Sequence, residues 1–345
     1  MKIKQVITLL IIVTISSTLK SQNAAGDYMD KIGQQFDQIS SNTWDYVSAA
    51  SHGKSARKIE NRRHELIKTT AEAQQTINKM EPFQGDASLK DTVLSYLQLS
   101  YDVLNKDFAK IVDMEDIAEQ SYDNMEAYLL AQQMADDKLD KANDNMIQEQ
   151  KKFAASHGIT LTDNKTTITK KLETSSAVIK YYNEVYLIFF KSYKQEAYLL
   201  NAMNTNDVNG MEQNKNALIK CSTAGLKSLD TIKSFKGDIS LVTSAKELLN
   251  FYKTESSTKM KDVIDYFLAK EKYDKIKAAY DAKDKSSLTQ ADADQYNKAV
   301  NELNTSAKKY SATNDDLNKK RAVAVDNWNK TAAKFMDTHV PKYKQ

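Results

Sequence analysis

Four histidines and one cysteine are the side chains of this sequence best suited to metal or nucleophilic chemistry: His52, His64, His157, His339 and Cys221. A metal held in a helical bundle takes ligands from inward faces, commonly as Glu-x-x-His. No histidine here has a glutamate three residues before it. Glu60 stands four before His64, but Arg62 and Arg63 beside it oppose a cation. His157 and His339 each close a helical pattern, where positive charge suits the C-terminal end of the helix dipole. Cys221 shares its segment with no histidine and reads as a small buried thiol. H-E-x-x-H, a glycine-rich phosphate loop, G-x-S-x-G and EF-hand spacing are all missing from the sequence. The expectation is a protein that is not an enzyme, with no cofactor and no metal.

The most conspicuous pattern is a repeat. Phe83-Gln84-Gly85-Asp86-Ala87-Ser88-Leu89 returns as Phe235-Lys236-Gly237-Asp238-Ile239-Ser240-Leu241, 152 positions on (235 − 83). The windows 59–89 and 211–241 align without a gap and share 9 of 31 residues, where chance gives about two. Read physically, F-x-G-D-x-S-L is a helix stop followed by a helix start. Gly85 and Gly237 take a left-handed conformation that closes the preceding helix. Asp86 and Asp238, or Ser88 and Ser240, accept from the first free N–H groups of the next. Ser88 with Asp91 resembles a capping box, and Phe83 and Phe235 staple the turn to the bundle.

These residues must be carried by helices. Eight glycines and two prolines in 345 residues leave little to break a helix, and both prolines fall at the end of a helical pattern. Apolar residues recur in steps of three and four: Met29, Ile32, Phe36, Ile39, Thr43, Tyr46 and Ala50 in the first row. Later rows run Leu89 to Ile111, from about Asp113 to Ala155, Thr166 to Met203, Leu241 to Tyr280 with a polar kink at 255–261, and Tyr296 to Phe335. Phe153-x-x-x-His157 and Phe335-x-x-x-His339 end the two halves alike, 182 apart (339 − 157), so the second copy holds about 30 extra residues around 253–290. The expected fold is all-α: two tandem duplicated long-helix bundles of about four helices each, forming an elongated molecule. The boundaries are 1–21 for a signal peptide, 22–158 for the first repeat and 159–345 for the second.

Aromatic residues crowd Tyr182, Tyr186, Phe189, Phe190 and Tyr193, on several faces of one helix. As a central core helix it needs no ligand; as the wall of an apolar pocket it is where a hydrophobic ligand would bind.

Lys2 and Lys4, the apolar run from Val6 to Ile15 and the small residues from Ser16 to Ser21 make a secretory signal, too short to span a bilayer. No cysteine follows it, so cysteine-anchored lipoprotein processing is not expected. Loss of residues 1–21 removes Lys2, Lys4 and Lys20 from 49 basic residues and leaves 46 against 46 acidic ones. A mature charge of zero argues against nucleic acid as a partner.

Ala56-Arg57-Lys58-Ile59-Glu60, the paired turns, Ile117-Ala118-Glu119-Gln120-Ser121-Tyr122 with Met125-Glu126-Ala127-Tyr128-Leu129-Leu130-Ala131-Gln132, and Tyr186-Leu187-Ile188-Phe189-Phe190-Lys191 resemble an uncharacterised family of bacterial surface proteins, named after a Leptospira locus and found also in Bacteroidetes. The likeness covers nearly the whole mature chain and brings no known activity, cofactor or catalytic residue. The expected function is that of an exported Gram-negative envelope or surface protein, in the periplasm, at the cell surface or secreted. It would bind an unidentified protein or envelope component through long helix faces, with no transmembrane span after signal cleavage. The alternative is a binder of a hydrophobic small molecule in the aromatic-lined pocket.

Overall fold

The computed structural model describes residues 17–18, 24–107, 114, 117–162 and 166–342. Apart from Ser17–Thr18, the segment read as a signal peptide lies outside them, as do Phe108, Ile111 and the expected helix start at Asp113. The fold is all-α. Its helices are α1 (Ala24–Ser51), α2 (Ala56–Asn78), α3 (Ser88–Asp102), α4 (Tyr122–Ser156), α5 (Thr167–Asn204), α6 (Val208–Thr231), α7 (Ser240–Thr254), α8 (Met260–Asp281) and α9 (Gln290–His339). Two-residue strands, β1 (Ser17–Thr18) and β2 (Leu161–Thr162), pair antiparallel.

The chain forms two compact units, residues 1–183 with 333–345, and residues 184–332. Gly158 does mark the turn after α4, but the units divide within α5 and α9 rather than there. In the first unit the apolar row of α1 is the buried face: Met29, Ile32, Phe36, Ile39, Thr43, Tyr46 and Ala50 are all buried. Opposite them lie Leu66, Ala73 and Ile77 of α2 and Val93, Tyr96 and Leu97 of α3. The second unit buries Leu218 and Leu229 of α6 with Leu241, Ala245 and Leu248 of α7.

Helix ends follow from local chemistry. At Gly53 and Gly158 the backbone turns left-handed, φ +62° and +65°. Lys54 N–H then donates to Ala49 O and Ile159 N–H to Ala154 O, which satisfies carbonyls the helix leaves open. His157 is the C-cap of α4, and Asn206 (φ +55°) plays glycine's part after α5.

The F-x-G-D-x-S-L segment differs from the expected helix cap. Gln84 and Gly85 both have positive φ (53° and 88°), as do Lys236 and Gly237 (50° and 87°). Asp86 N–H donates to Phe83 O at 2.9 Å, and Asp238 N–H to Phe235 O at 2.9 Å. Two consecutive left-handed residues closed by that bond form a tight turn of type I′, standing after the helix end. Asp86 and Asp238 are the acceptors, taking the Ser88 and Ser240 N–H at 2.9 and 2.7 Å. Ser88 Oγ instead donates to Asp86 at 2.6 Å, and Asp91 donates its backbone N–H to Ala87 O. Phe83 does staple the turn, packing on Tyr28, Phe153 and His157 with centroids 5.4, 5.4 and 4.9 Å away. A Cβ on Gly85 or Gly237 would meet nothing within 4 Å, so only backbone strain opposes a side chain there. Gly85→Val and Gly237→Val should each lose about 1–2 kcal/mol in urea unfolding. Unchanged midpoints in both would remove the turn's structural role.

The 152-residue spacing extends beyond this turn. Both ends of α3 and α7 are 152 apart, as are the starts of α2 and α6. Each of α3 and α7 runs into a single π-helical turn, Val103–Asp107 and Glu255–Lys259. The second is where the sequence shows a polar kink. Its hydroxyls bond back to the loosened carbonyls: Ser256 Oγ to Tyr252 O at 2.7 Å and Ser257 Oγ to Lys253 O at 2.6 Å. Arg63 holds the first, donating to Leu104 O at 2.8 Å.

Candidate functional site

The π-turn after α7 positions the most unusual side chains of the second unit. Glu255, its first residue, points inward and is 1 % exposed. Glu196 approaches from α5, 2 % exposed. Arg321 comes from α9 and bonds both, its Nε to Glu196 Oε1 and its Nη2 to Glu255 Oε1. Its guanidinium lies over Phe251, 5.9 Å from the ring centroid, and it also donates to Asn318 at 2.6 Å.

Two carboxylates around one guanidinium in a dry site cannot both ionise freely. Burial, then the neighbouring Glu196 carboxylate, pushes Glu255 up to about 8. Glu196 is likewise raised, first by burial, against the pull of Arg321. Burial works against the charge of Arg321, yet the two carboxylates outweigh it and hold it above its ordinary value. The Tyr252 hydroxyl, buried beside them, is raised by burial and by both acids. The chemistry available is proton uptake.

The sequence offsets of 152 and 182 assign each member of the cluster a position in the first unit. Ser40, Val47 and Ala50 of α1 are buried, as are Ser192, Leu199 and Ala202 of α5, 152 further on. The two helices therefore share a register that pairs Trp44 with Glu196. The same offset pairs Val103 with Glu255, and the 182 offset of the closing helices pairs Leu139 with Arg321. Trp44, Val103 and Leu139 are all buried. The offset positions of the first unit thus hold three buried apolar residues where the second unit holds an ionic cluster.

The aromatic stretch is mostly core. Tyr182 is buried in the first unit. In the second, Tyr186, Phe189 and Phe190 are 0–1 % exposed and Tyr193 is half-buried. Tyr186 lies 5.4 Å from Phe189 and 5.3 Å from Phe190, and Phe189 lies 4.6 Å from Trp328. None of these rings lines either groove described on the second unit. One groove, of about 650 Å³, runs along α8 and α9 past Asp262, Asp265, Asn297, Lys298, Glu302 and Lys309. The other, of about 390 Å³, is bounded by Phe251, Lys319, Lys320, Val323 and Asn327. Glu196, Glu255 and Arg321 line neither.

The histidines do not converge. His52 meets Asp337 at 3.0 Å and Pro341 O at 3.2 Å, and His64 meets Glu60 at 3.0 Å. His157 and His339 pack on Phe153 and Phe335. Among the described residues no cluster of three metal-ligating side chains occurs. Cys221 is half-buried, accepts from Ser192 Oγ at 3.4 Å, and has its thiol pushed up by burial.

Glu196 and Arg321 escape a motif search, but both interrupt apolar rows. Glu196 stands three after Tyr193, and Arg321 four after Leu317 and seven before Trp328. A charge on the buried stripe of a long helix is the sequence signal for such a cluster.

No family model, curated protein or solved structure matches the chain.

Proposed function

We propose that this is an exported, non-enzymatic envelope or surface protein that binds another macromolecule through the helical hairpin α8–α9. One observation carries the reading: between Phe267 and Leu317 a single residue, Ala299, is buried. The two helices hold each other through a seam of tyrosines at heptad spacing. Tyr266 stacks on Tyr310 at 4.5 Å, and Tyr280 on Tyr296 at 4.9 Å. The hydroxyls of Tyr273 and Tyr296 meet at 3.4 Å. Lys272 and Glu302 bridge the pair at 2.6 Å. Such a seam fixes the arm while leaving its outer faces free of any role in the core. The part of the second copy that outgrew the first is this same arm, an added element that bundle packing alone does not require.

Export and surface location are supported by the charged, apolar and small-residue order of the first 21 positions and by the resemblance to bacterial surface proteins. Among the described residues no helix is long and apolar enough to cross a membrane. Neutral mature charge weighs against nucleic acid as the partner. The test is a photo-crosslinking amino acid placed at Leu268 or Lys298 in cells that make the protein. Arm positions are expected to yield discrete adducts that the exposed α1 position Gln38 does not. Adducts from Gln38 alone, or turnover of a substrate by purified protein, would sink the reading. Mass spectrometry of the secreted chain should give Gln22 as its first residue.

A further inference from the structure

Three side chains from three elements meet at one buried point, and their charges do not balance. Arg321 supplies one positive charge to Glu196 and Glu255. Its Nη2 takes Glu255 Oε1, while Glu255 Oε2 is buried with no donor. Nε and Nη2 lie along one edge of the guanidinium, so the Glu196 and Glu255 oxygens that accept from them sit side by side. A buried oxygen without a donor, beside a second carboxyl, is the arrangement that a shared proton completes. At the matching sequence offsets the first unit buries Trp44, Val103 and Leu139, three apolar residues in place of three charges. There Arg63 bonds Glu60 and the Leu104 carbonyl of the π-turn.

We propose that Glu196, Glu255 and Arg321 form a proton-binding site that latches the α7–α8 junction. With one proton held between the two carboxyls, Arg321 ties α9 to α5 and to the π-turn. Release of that proton to solvent leaves a buried excess negative charge, and the turn unfastens so that Glu255 can hydrate. The proposal stands on the cluster alone and does not depend on what the hairpin binds.

Arg321 is the cation named among the leading influences on both Glu196 and Glu255. Tyr193 of α5 and Tyr252 of α7 bring hydroxyls. On α6, Lys215 pairs with Glu212 at 2.5 Å, and Asp230 pairs with Lys246 of α7 at 2.6 Å. Cys221 is engaged with Ser192. Arg321 is the positive partner of both acids.

The sign of the pH effect follows from proton counting. Glu255 is raised from 4.5 to about 8 in the folded protein, so the folded state keeps a proton there that the unfolded chain has lost. Stability is full below the unfolded value and falls as pH rises toward the folded one. The experiment compares thermal midpoints of the full chain and of Glu255→Gln from about pH 5 to about pH 9. The wild type should lose stability across this window. Glu255→Gln should be flat and the more stable protein at the alkaline end. Equal slopes in the two proteins overturn the proposal.

Should Glu255→Gln fail to fold, isotope-edited infrared spectroscopy of the unmodified protein reads the proton directly. A protonated carboxyl band should be present at neutral pH and gone at the alkaline end; its absence at neutral pH overturns the proposal. Latching is read through Trp328, seven residues beyond Arg321 on α9, in a Trp44→Phe background. Its fluorescence should change with a midpoint near that of the carboxyl. A spectrum constant across the window overturns the latch.

Discussion

Replacing Arg321 with methionine should destabilise the protein by about 3–5 kcal/mol at mildly alkaline pH, because removing one partner of a buried ionic group leaves the others uncompensated. The loss should shrink as pH falls. Without the guanidinium both Glu196 and Glu255 have raised pKa values, bind protons in the folded state and become neutral hydroxyl-bearing groups in acid. The apolar trio Trp44, Val103 and Leu139 makes the converse prediction available within one molecule. The triple variant Glu196→Leu, Glu255→Val, Arg321→Leu should lie within about 1 kcal/mol of the wild type, or above it, since burying well-packed hydrocarbon avoids the desolvation of three charges. Urea unfolding of the two variants at two pH values tests both. A loss below about 1 kcal/mol in the single variant, or a triple variant as unstable as the single, would falsify the account of the cluster.

How far such a site can be read from sequence depends on what encodes it. The all-α class and the buried rows, such as Met29 through Ala50 on α1, follow from helical period alone, because one stripe must face a core. The sequence repeat follows from identity, and the two π-turns found in the structure lie at the same spacing, 235 − 83, although only the second had a sequence signal. The type I′ geometry did not follow. Gln84 and Lys236 carry no residue-type signal for a positive φ, and the turn is held by backbone bonds between Phe83 and Asp86 or Phe235 and Asp238 and, in the first copy, by the packing of Phe83. Long helices also hid their own ends. Ser121 falls on an apolar row, yet it is the N-cap of α4, accepting from Asn124 N–H at 3.1 Å. The ionic cluster was legible only as exceptions, Glu196 and Arg321 standing on stripes that otherwise hold Tyr, Phe, Leu and Trp. Which exceptions meet is set by packing between helices 66 and 125 residues apart in sequence, and periodicity along one helix does not contain that information.

Trp328→Ala should be the second most damaging single change, losing about 3–5 kcal/mol. Trp328 is 0 % exposed and its ring sits 4.6 Å from Phe189, which in turn packs 5.4 Å from Tyr186. Truncation removes the transfer energy of the indole and leaves a cavity between α5 and α9, two rigid helices whose other contacts resist collapse. Trp328→Met should lose less, because a flexible thioether refills part of the space. The ordering of the three proteins discriminates core from pocket. If the aromatic stretch bound a hydrophobic ligand, truncation would open a cavity that such a ligand fills, and an added apolar probe such as benzene would raise the melting temperature of the wild type as well as of Trp328→Ala. If it is core, the probe should stabilise Trp328→Ala alone. Phe189, beside the place the indole leaves, and not the wild-type surface, would then be what the probe contacts.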